Sequence, residues 1–157
     1  MARKAKRAAV VRCAGGPAPD GRCDYGCVGC AACIGVCPKG AIDFDDNFVA
    51  RVDRDRCIGC GLCARACPQG VIEVVPVTQR FLVLCSNPEP AGAARKECGA
   101  SCIACGACER ACTCGAMAVQ GNLAHMDLAA CISCGMCASK CPRGVIHDVC
   151  GIVAAGV

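Results

Sequence analysis

A small α+β protein built from two metal-stapled units is what the sequence predicts, and three observations predict it. Cysteine fills 22 of 157 positions. Sixteen of these fall into four copies of one pattern, Cys-x2-Cys-x2-Cys-x3-Cys, at Cys27/Cys30/Cys33/Cys37, Cys57/Cys60/Cys63/Cys67, Cys102/Cys105/Cys108/Cys112 and Cys131/Cys134/Cys137/Cys141. Large side chains are scarce, with three Phe, one Tyr and no Trp, and the hydrophobic fraction of 55% consists largely of 22 Cys and 27 Ala. So little apolar bulk cannot be the main source of stability, and ligand bonds must staple the fold. Little structure is expected without metal.

Three evenly spaced thiols followed by a fourth suit an iron–sulfur cube, which draws three ligands from one motif and a fourth from the neighbouring motif in two-cluster ferredoxins. Zinc sites instead pair two short Cys elements around one ion. Disulfides explain the fixed register poorly, since a bridge needs two matched partners and not a three-corner clamp. The N-terminal segment has only Ala8, Ala9, Val10 and Val11 between basic residues, too short for the apolar part of a secretory signal, and no run approaches a membrane span. Four oxidised clusters with their thiolates would move the formal charge of +4 to about −4.

The elements follow in order. Residues 1–22 read as a basic tail and lead-in, solvated and with no aromatic side chain to suit nucleic acid. Residues 23–76 form the first bacterial-type two-cluster ferredoxin unit. Within it, Ala41–Phe44 and Phe48–Val52 read as a hairpin turning at Asp45-Asp46-Asn47, and Val71–Val75 as a closing strand. Helical turns such as Leu62–Ala66 carry the chain from third to fourth cysteine, and Pro38, Pro68 and Pro142 end three of the four turns. Residues 77–97 read as a docking linker whose apolar strand, Arg80–Leu84, packs one unit on the other. Residues 98–150 repeat the unit at an offset of 74 to 75 residues: a hairpin from Ala116–Val119 and Leu123–Met126 around Gly121-Asn122, a helical turn at Met136–Lys140, and a closing strand at Val145–Val149. Residues 151–157 are a C-terminal tail.

The crossed rule gives four 4Fe-4S clusters. Cys27, Cys30 and Cys33 join Cys67; Cys57, Cys60 and Cys63 join Cys37; Cys102, Cys105 and Cys108 join Cys141; Cys131, Cys134 and Cys137 join Cys112. Backbone amides near the ligands, as at Gly29, Gly59, Gly61, Gly106 and Gly135, are placed to approach sulfur. Six cysteines stand outside the pattern: Cys13, Cys23, Cys85, Cys98, Cys114 and Cys150. Cys23 and Cys98 each lie four residues before a motif, as small buried hydrophobes, alternative ligands or a further metal site. Thr113-Cys114 stands where the other motifs have proline, so the third turn is expected to be the least regular. His125 and His147 are expected at the surface, since the thiol sets are already complete.

The flanks and the link are distinctive: Arg12-Cys13-Ala14-Gly15-Gly16, Cys23-Asp24-Tyr25-Gly26-Cys27-Val28-Gly29, Cys85-Ser86-Asn87, and Arg95-Lys96-Glu97-Cys98 leading into Cys102-Ile103-Ala104-Cys105. Together they resemble the B subunit of the Rnf-type membrane complex, which moves electrons between ferredoxin and NAD coupled to ion transport. The resemblance implies an electron-transfer subunit, with a ferredoxin or flavodoxin donor, a flavin- or cluster-bearing acceptor subunit, and a membrane complex reached through other subunits. It implies a cytoplasmic location, free or peripheral on the membrane. Such subunits typically begin with a membrane helix and a further cysteine-rich domain, so the chain reads as a truncated relative. They often lack a cysteine at the position of Cys30, which sets Cys23 against Cys30 as ligands of the first cluster. A soluble polyferredoxin serving a hydrogenase or disulfide reductase is the alternative, and an iron–sulfur redox sensor is a third reading from another class. No nucleotide fingerprint, phosphate loop or nucleophile with a placed base is visible, so no catalytic residue is assigned.

Overall fold

In the computed structural model, residues 6–15 and 23–150 are described. The first unit runs β1 (Arg7–Val11), α1 (Ala32–Gly35), β2 (Ile42–Phe44), β3 (Ala50–Val52), α2 (Leu62–Ala66) and β4 (Ile72–Pro76). The second runs β5 (Phe81–Val83), α3 (Ala91–Glu97), α4 (Ala107–Ala111), β6 (Met117–Gln120), β7 (Leu123–Met126), α5 (Met136–Lys140) and β8 (Ile146–Asp148). Each unit has two antiparallel ladders. An inner hairpin pairs β2 with β3 or β6 with β7, and an outer ladder pairs first strand with last, β1 with β4 and β5 with β8. This is the tandem ferredoxin architecture that the motif spacing predicts.

The inner hairpins arise where alternation and turn residues coincide. Gly121 and Asn122 both take positive φ, 57° and 63°, the pair that a two-residue turn of matching twist requires. In the other hairpin Asp45 accepts backbone hydrogen bonds from Asn47 and Val49 at 2.9 and 3.0 Å. The helical turns end as proline dictates: Cys67 and Cys141 are extended, the conformation forced on a residue before proline. Cys112 is extended as well, φ −81° and ψ 108°. The third motif therefore keeps the common turn without proline, contrary to the irregularity expected of Thr113-Cys114.

Three further expectations change. Arg7–Val11 is no solvated tail: Ala8, Ala9, Val10 and Val11 are buried in a ladder that joins Arg7 to Pro76 and Val11 to Ile72. Residues 1–5 and 16–22 of that lead-in, and the C-terminal tail at 151–157, lie outside the described residues. The strand in 77–97 is the opening strand of the second unit, with Phe81 opposite Asp148 and Val83 opposite Ile146. It docks as well, because Leu82 and Leu84 share a buried cluster with Val10 and Val75 of the first unit. The same segment also carries α3, which linker composition concealed. His147 lies half-buried with its Nε2 unpartnered, and burial, then the Arg51 charge, holds its pKa below the usual imidazole value; His125 is exposed as expected.

Candidate metal centres

Each Cys-x2-Cys-x2-Cys loop is wound by two residues of positive φ, two and four places after its first cysteine. They are Gly29 and Ala31, Gly59 and Gly61, Ala104 and Gly106, Ser133 and Gly135. Left-handed residues in such alternation curl the loop and turn backbone N–H groups inward. Gly59, Ala104 and Ser133 accordingly donate to the Sγ of Cys57, Cys102 and Cys131 at 3.5, 3.5 and 3.4 Å. The one-turn helix that follows buries the third cysteine of every motif, Cys33, Cys63, Cys108 or Cys137, and leaves the second, Cys30, Cys60, Cys105 or Cys134, exposed.

The loops face cavities that draw on both motifs of a unit. One is lined by Cys27, Cys30, Cys33 and Cys67, with Val11, Phe44, Ala50, Val71 and Ile72. A second is lined by Cys57, Cys60, Cys63 and Cys37, with Ala9 and Ile42. A third, in the other unit, is lined by Cys102, Cys105, Cys108 and Cys141, with Val119, Ala124, Val145 and Ile146. The three repeat one pattern of lining, three cysteines of one motif with the last cysteine of the other. Around the fourth set, Cys137 feels the charges of Cys131 and Cys134, and Cys112 lies on the turn after α4 with Cys114 Sγ 3.6 Å from its own. Cys30 occupies the same exposed corner as its three counterparts, whereas Cys23 is absent from the lining of the first cavity.

Electrostatics separates the corners. Burial, then neighbouring sulfur charge, pushes Cys137 up to about 11 and raises Cys33, Cys63 and Cys108. Cys37 moves down because the Ala41 N–H, 3.4 Å away, favours its thiolate. Burial raises Cys112, but hydrogen bonds from the Met117 and Ala116 backbone and from Cys114 outweigh it and bring it down. A buried thiol releases its proton to solvent when a metal ion takes its place on sulfur, so metal and proton compete directly at the third corner of each motif.

The donor set suits a multi-iron cluster. Four thiols line each cavity, on walls that are otherwise mostly apolar but include Arg143, Gln69 or Lys39. Two buried amides escaped the sequence reading. Gln79, 5% exposed, donates to Cys131 Sγ at 3.3 Å, and Asn87, 1% exposed, donates to Cys23 Sγ at 3.4 Å. The Cys-Ser-Asn element was the only sequence signal for either.

Family models match at two places: a 4Fe-4S dicluster domain over residues 26–71 and a 4Fe-4S binding domain over residues 124–147. Over 105 residues, 67% of its length, the chain is 49% identical to the B subunit of the proton-translocating ferredoxin:NAD(+) oxidoreductase complex of Clostridium ljungdahlii. An equal span is 40% identical to the B subunit of the Na(+)-translocating ferredoxin:NAD(+) oxidoreductase complex of Acetobacterium woodii. The chain is a 4Fe-4S ferredoxin protein related to these Rnf B subunits. It spans about a third of the length of these curated relatives, 37% and 32%. Among solved structures, this chain aligns with a chain of the formate dehydrogenase, heterodisulfide reductase and formylmethanofuran dehydrogenase complex from Methanospirillum hungatei. That alignment has 18% identity and a TM-score of 0.29, and covers 78% of this chain and 51% of the other. Among the described residues of this chain, no helix is long and apolar enough to cross a membrane.

Proposed function

We propose that this chain relays single electrons through four 4Fe-4S clusters as the ferredoxin part of an Rnf-like electron-transport complex. The observation that carries the reading is the crossed lining of the cavities, each combining three cysteines of one motif with the last cysteine of its partner. On that basis Cys27, Cys30, Cys33 and Cys67 hold the first cluster and Cys57, Cys60, Cys63 and Cys37 the second. Cys102, Cys105, Cys108 and Cys141 hold the third, and Cys131, Cys134, Cys137 and Cys112 the fourth. A 4Fe-4S cluster, when bound, supplies reversible one-electron chemistry at a potential set by charge, burial and hydrogen bonds to sulfur.

The chain's own residues do the tuning and the spacing. N–H donors at Ala9, Ala41, Gly59, Ala104, Ala116 and Ser133 reach ligand sulfurs at 3.2 to 3.5 Å and favour the more negative, reduced state. Val11, Ile72, Val145 and Ile146 keep water from the cavities they line. Val10, Val75, Leu82 and Leu84 fix one unit against the other. The exposed corner cysteines give each set a short path to a docked partner. That partner is a ferredoxin or flavodoxin on the donor side and a flavin- or cluster-bearing subunit on the acceptor side, at the cytoplasmic face of a membrane complex.

Anaerobic iron and sulfide analysis checks the count: the fully loaded chain should carry at least about sixteen of each, and about eight would overturn the reading. Mixed with reduced ferredoxin, the loaded protein should lose its visible absorption within the mixing experiment. Co-purification with membrane subunits supports the Rnf-like setting, and a soluble hydrogenase or flavin partner in their place argues against it.

A further inference from the structure

Four of the six cysteines outside the motifs stand at matching places in the two units. The outer ladder of the first unit extends by one bond from Arg12 N to Val71 O at 2.7 Å, and that of the second by Leu84 N to Val145 O at 2.8 Å. Cys13 and Cys85 are the next residues after each. Cys23 and Cys98 each open a turn into the first motif of their unit, with Gly26 N donating to Cys23 O and Ser101 N to Cys98 O. The same position after the closing proline braces both turns: Gln69 donates to the carbonyls of Asp24 and Gly26, and Arg143 to those of Cys98 and Ser101. A duplicated unit therefore carries two extra thiols, one past its outer strand and one before its first loop.

Packing of the units brings the two pairs together. A Cβ on Gly26 would lie 3.2 Å from Cys13 Sγ and 3.7 Å from Cys23 Cβ, so these two flank one glycine. Arg12 donates to Cys85 O at 3.4 Å and Ser86 Oγ to Arg12 O at 3.0 Å, which ties the residue before Cys13 to those at Cys85. Asn87, two places after Cys85, donates to Cys23 Sγ and to Glu97 beside Cys98. Cys85 Sγ accepts the Cys102 N–H at 3.3 Å, the same kind of bond that marks motif cysteines. The charges of Cys85 and Cys98 also act on Cys23, and that of Cys98 acts on Cys85. Cys114 and Cys150 are not among these contacts.

We infer that Cys13, Cys23, Cys85 and Cys98 form a fifth iron–sulfur site, held jointly by the two units with two thiols from each. Four thiols, two from each unit, are the number of corners that a 4Fe-4S cluster takes, and the iron-to-zinc ratio of the loaded protein decides between a cluster and zinc. Arg51 supports it from below, donating to the carbonyls of Cys13 and Ala14 at 2.6 and 3.1 Å. In this arrangement Cys30 keeps its corner of the first cavity, and Cys23 belongs to a different site.

The inference rests on the four-cluster reading only for its baseline, and anaerobic native mass spectrometry of the full loaded chain separates the two. Wild-type protein should carry five clusters, about twenty iron, and the quadruple variant Cys13→Ala, Cys23→Ala, Cys85→Ala, Cys98→Ala should carry four, about sixteen. Equal counts in wild type and variant, or one zinc lost in place of a cluster, overturn the fifth site. A variant count below four faults the baseline reading instead. Should the variant not fold, the wild-type count alone decides, since four clusters there refute the site and five require ligands outside the motifs. Cys114→Ala with Cys150→Ala should leave five.

Discussion

At the scale of single residues, the motif cysteines were legible because their chemistry depends on spacing, which a sequence displays directly. Gln79 and Asn87 were not, because a lone amide in a connecting segment has no period and acquires meaning only when the fold carries it to a sulfur. Gln79 reaches Cys131 across 52 positions of sequence, with Phe81 O and Met126 Sδ as its other partners. Its N–H stabilises negative charge on that sulfur, and reduction adds negative charge. Gln79→Ala should therefore lower the potential of one cluster by about 40 mV, the equivalent of about 1 kcal/mol for a one-electron couple. A redox titration followed by electron paramagnetic resonance reads this; unchanged potentials would show that the amide serves packing alone.

Elements were legible in proportion to how local their causes are. The turns α2 and α5 fall at the residues that the sequence assigns, because a cysteine loop opens them and Cys-Pro ends them within five residues. The outer strands were misread because their partners are remote: β1 pairs with β4 across about 65 residues, and nothing local distinguishes Ala8-Ala9-Val10-Val11 from a tail. Gly59 shows how closely β1 lies on the second motif. Its φ is +67°, and a Cβ there would fall on the Arg7 carbonyl oxygen. Gly70 has a similar φ of +64° with nothing near. Gly70→Ala should cost about 1 kcal/mol from backbone conformation alone, whereas Gly59→Ala should cost more than about 3 kcal/mol because a strand must also move. Anaerobic denaturant titration of the two loaded variants compares them directly, and equal losses would mean that β1 is free to shift.

For the whole molecule, tandem duplication was visible as a repeat, but the way the copies meet was not, since it depends on which face of each outer ladder is apolar. Val10 and Val75 present that face in one unit, Leu82 and Leu84 in the other. Apart from cysteine, the buried apolar residues are mostly Ala and Val, and Phe81 is the one buried aromatic side chain among the described residues, too little apolar bulk to hold about 140 residues unaided. Stripping iron with a chelator without oxygen should therefore abolish the cooperative thermal transition and the far-ultraviolet β and helical signal together. A retained sharp transition would mean that the protein core is sufficient by itself.

The interleaving of the cavities also bears on how the protein is made. Since Cys67 lines the space enclosed by the first loop and Cys37 the space enclosed by the second, neither loop can be completed before its partner has arrived. With the ligand sets proposed above, the nascent chain cannot mature motif by motif as it leaves the ribosome. The first unit is ready for its cofactors only when synthesis has passed Cys67, and its outer ladder only once Pro76 has emerged, so delivery must wait for the unit as a pair.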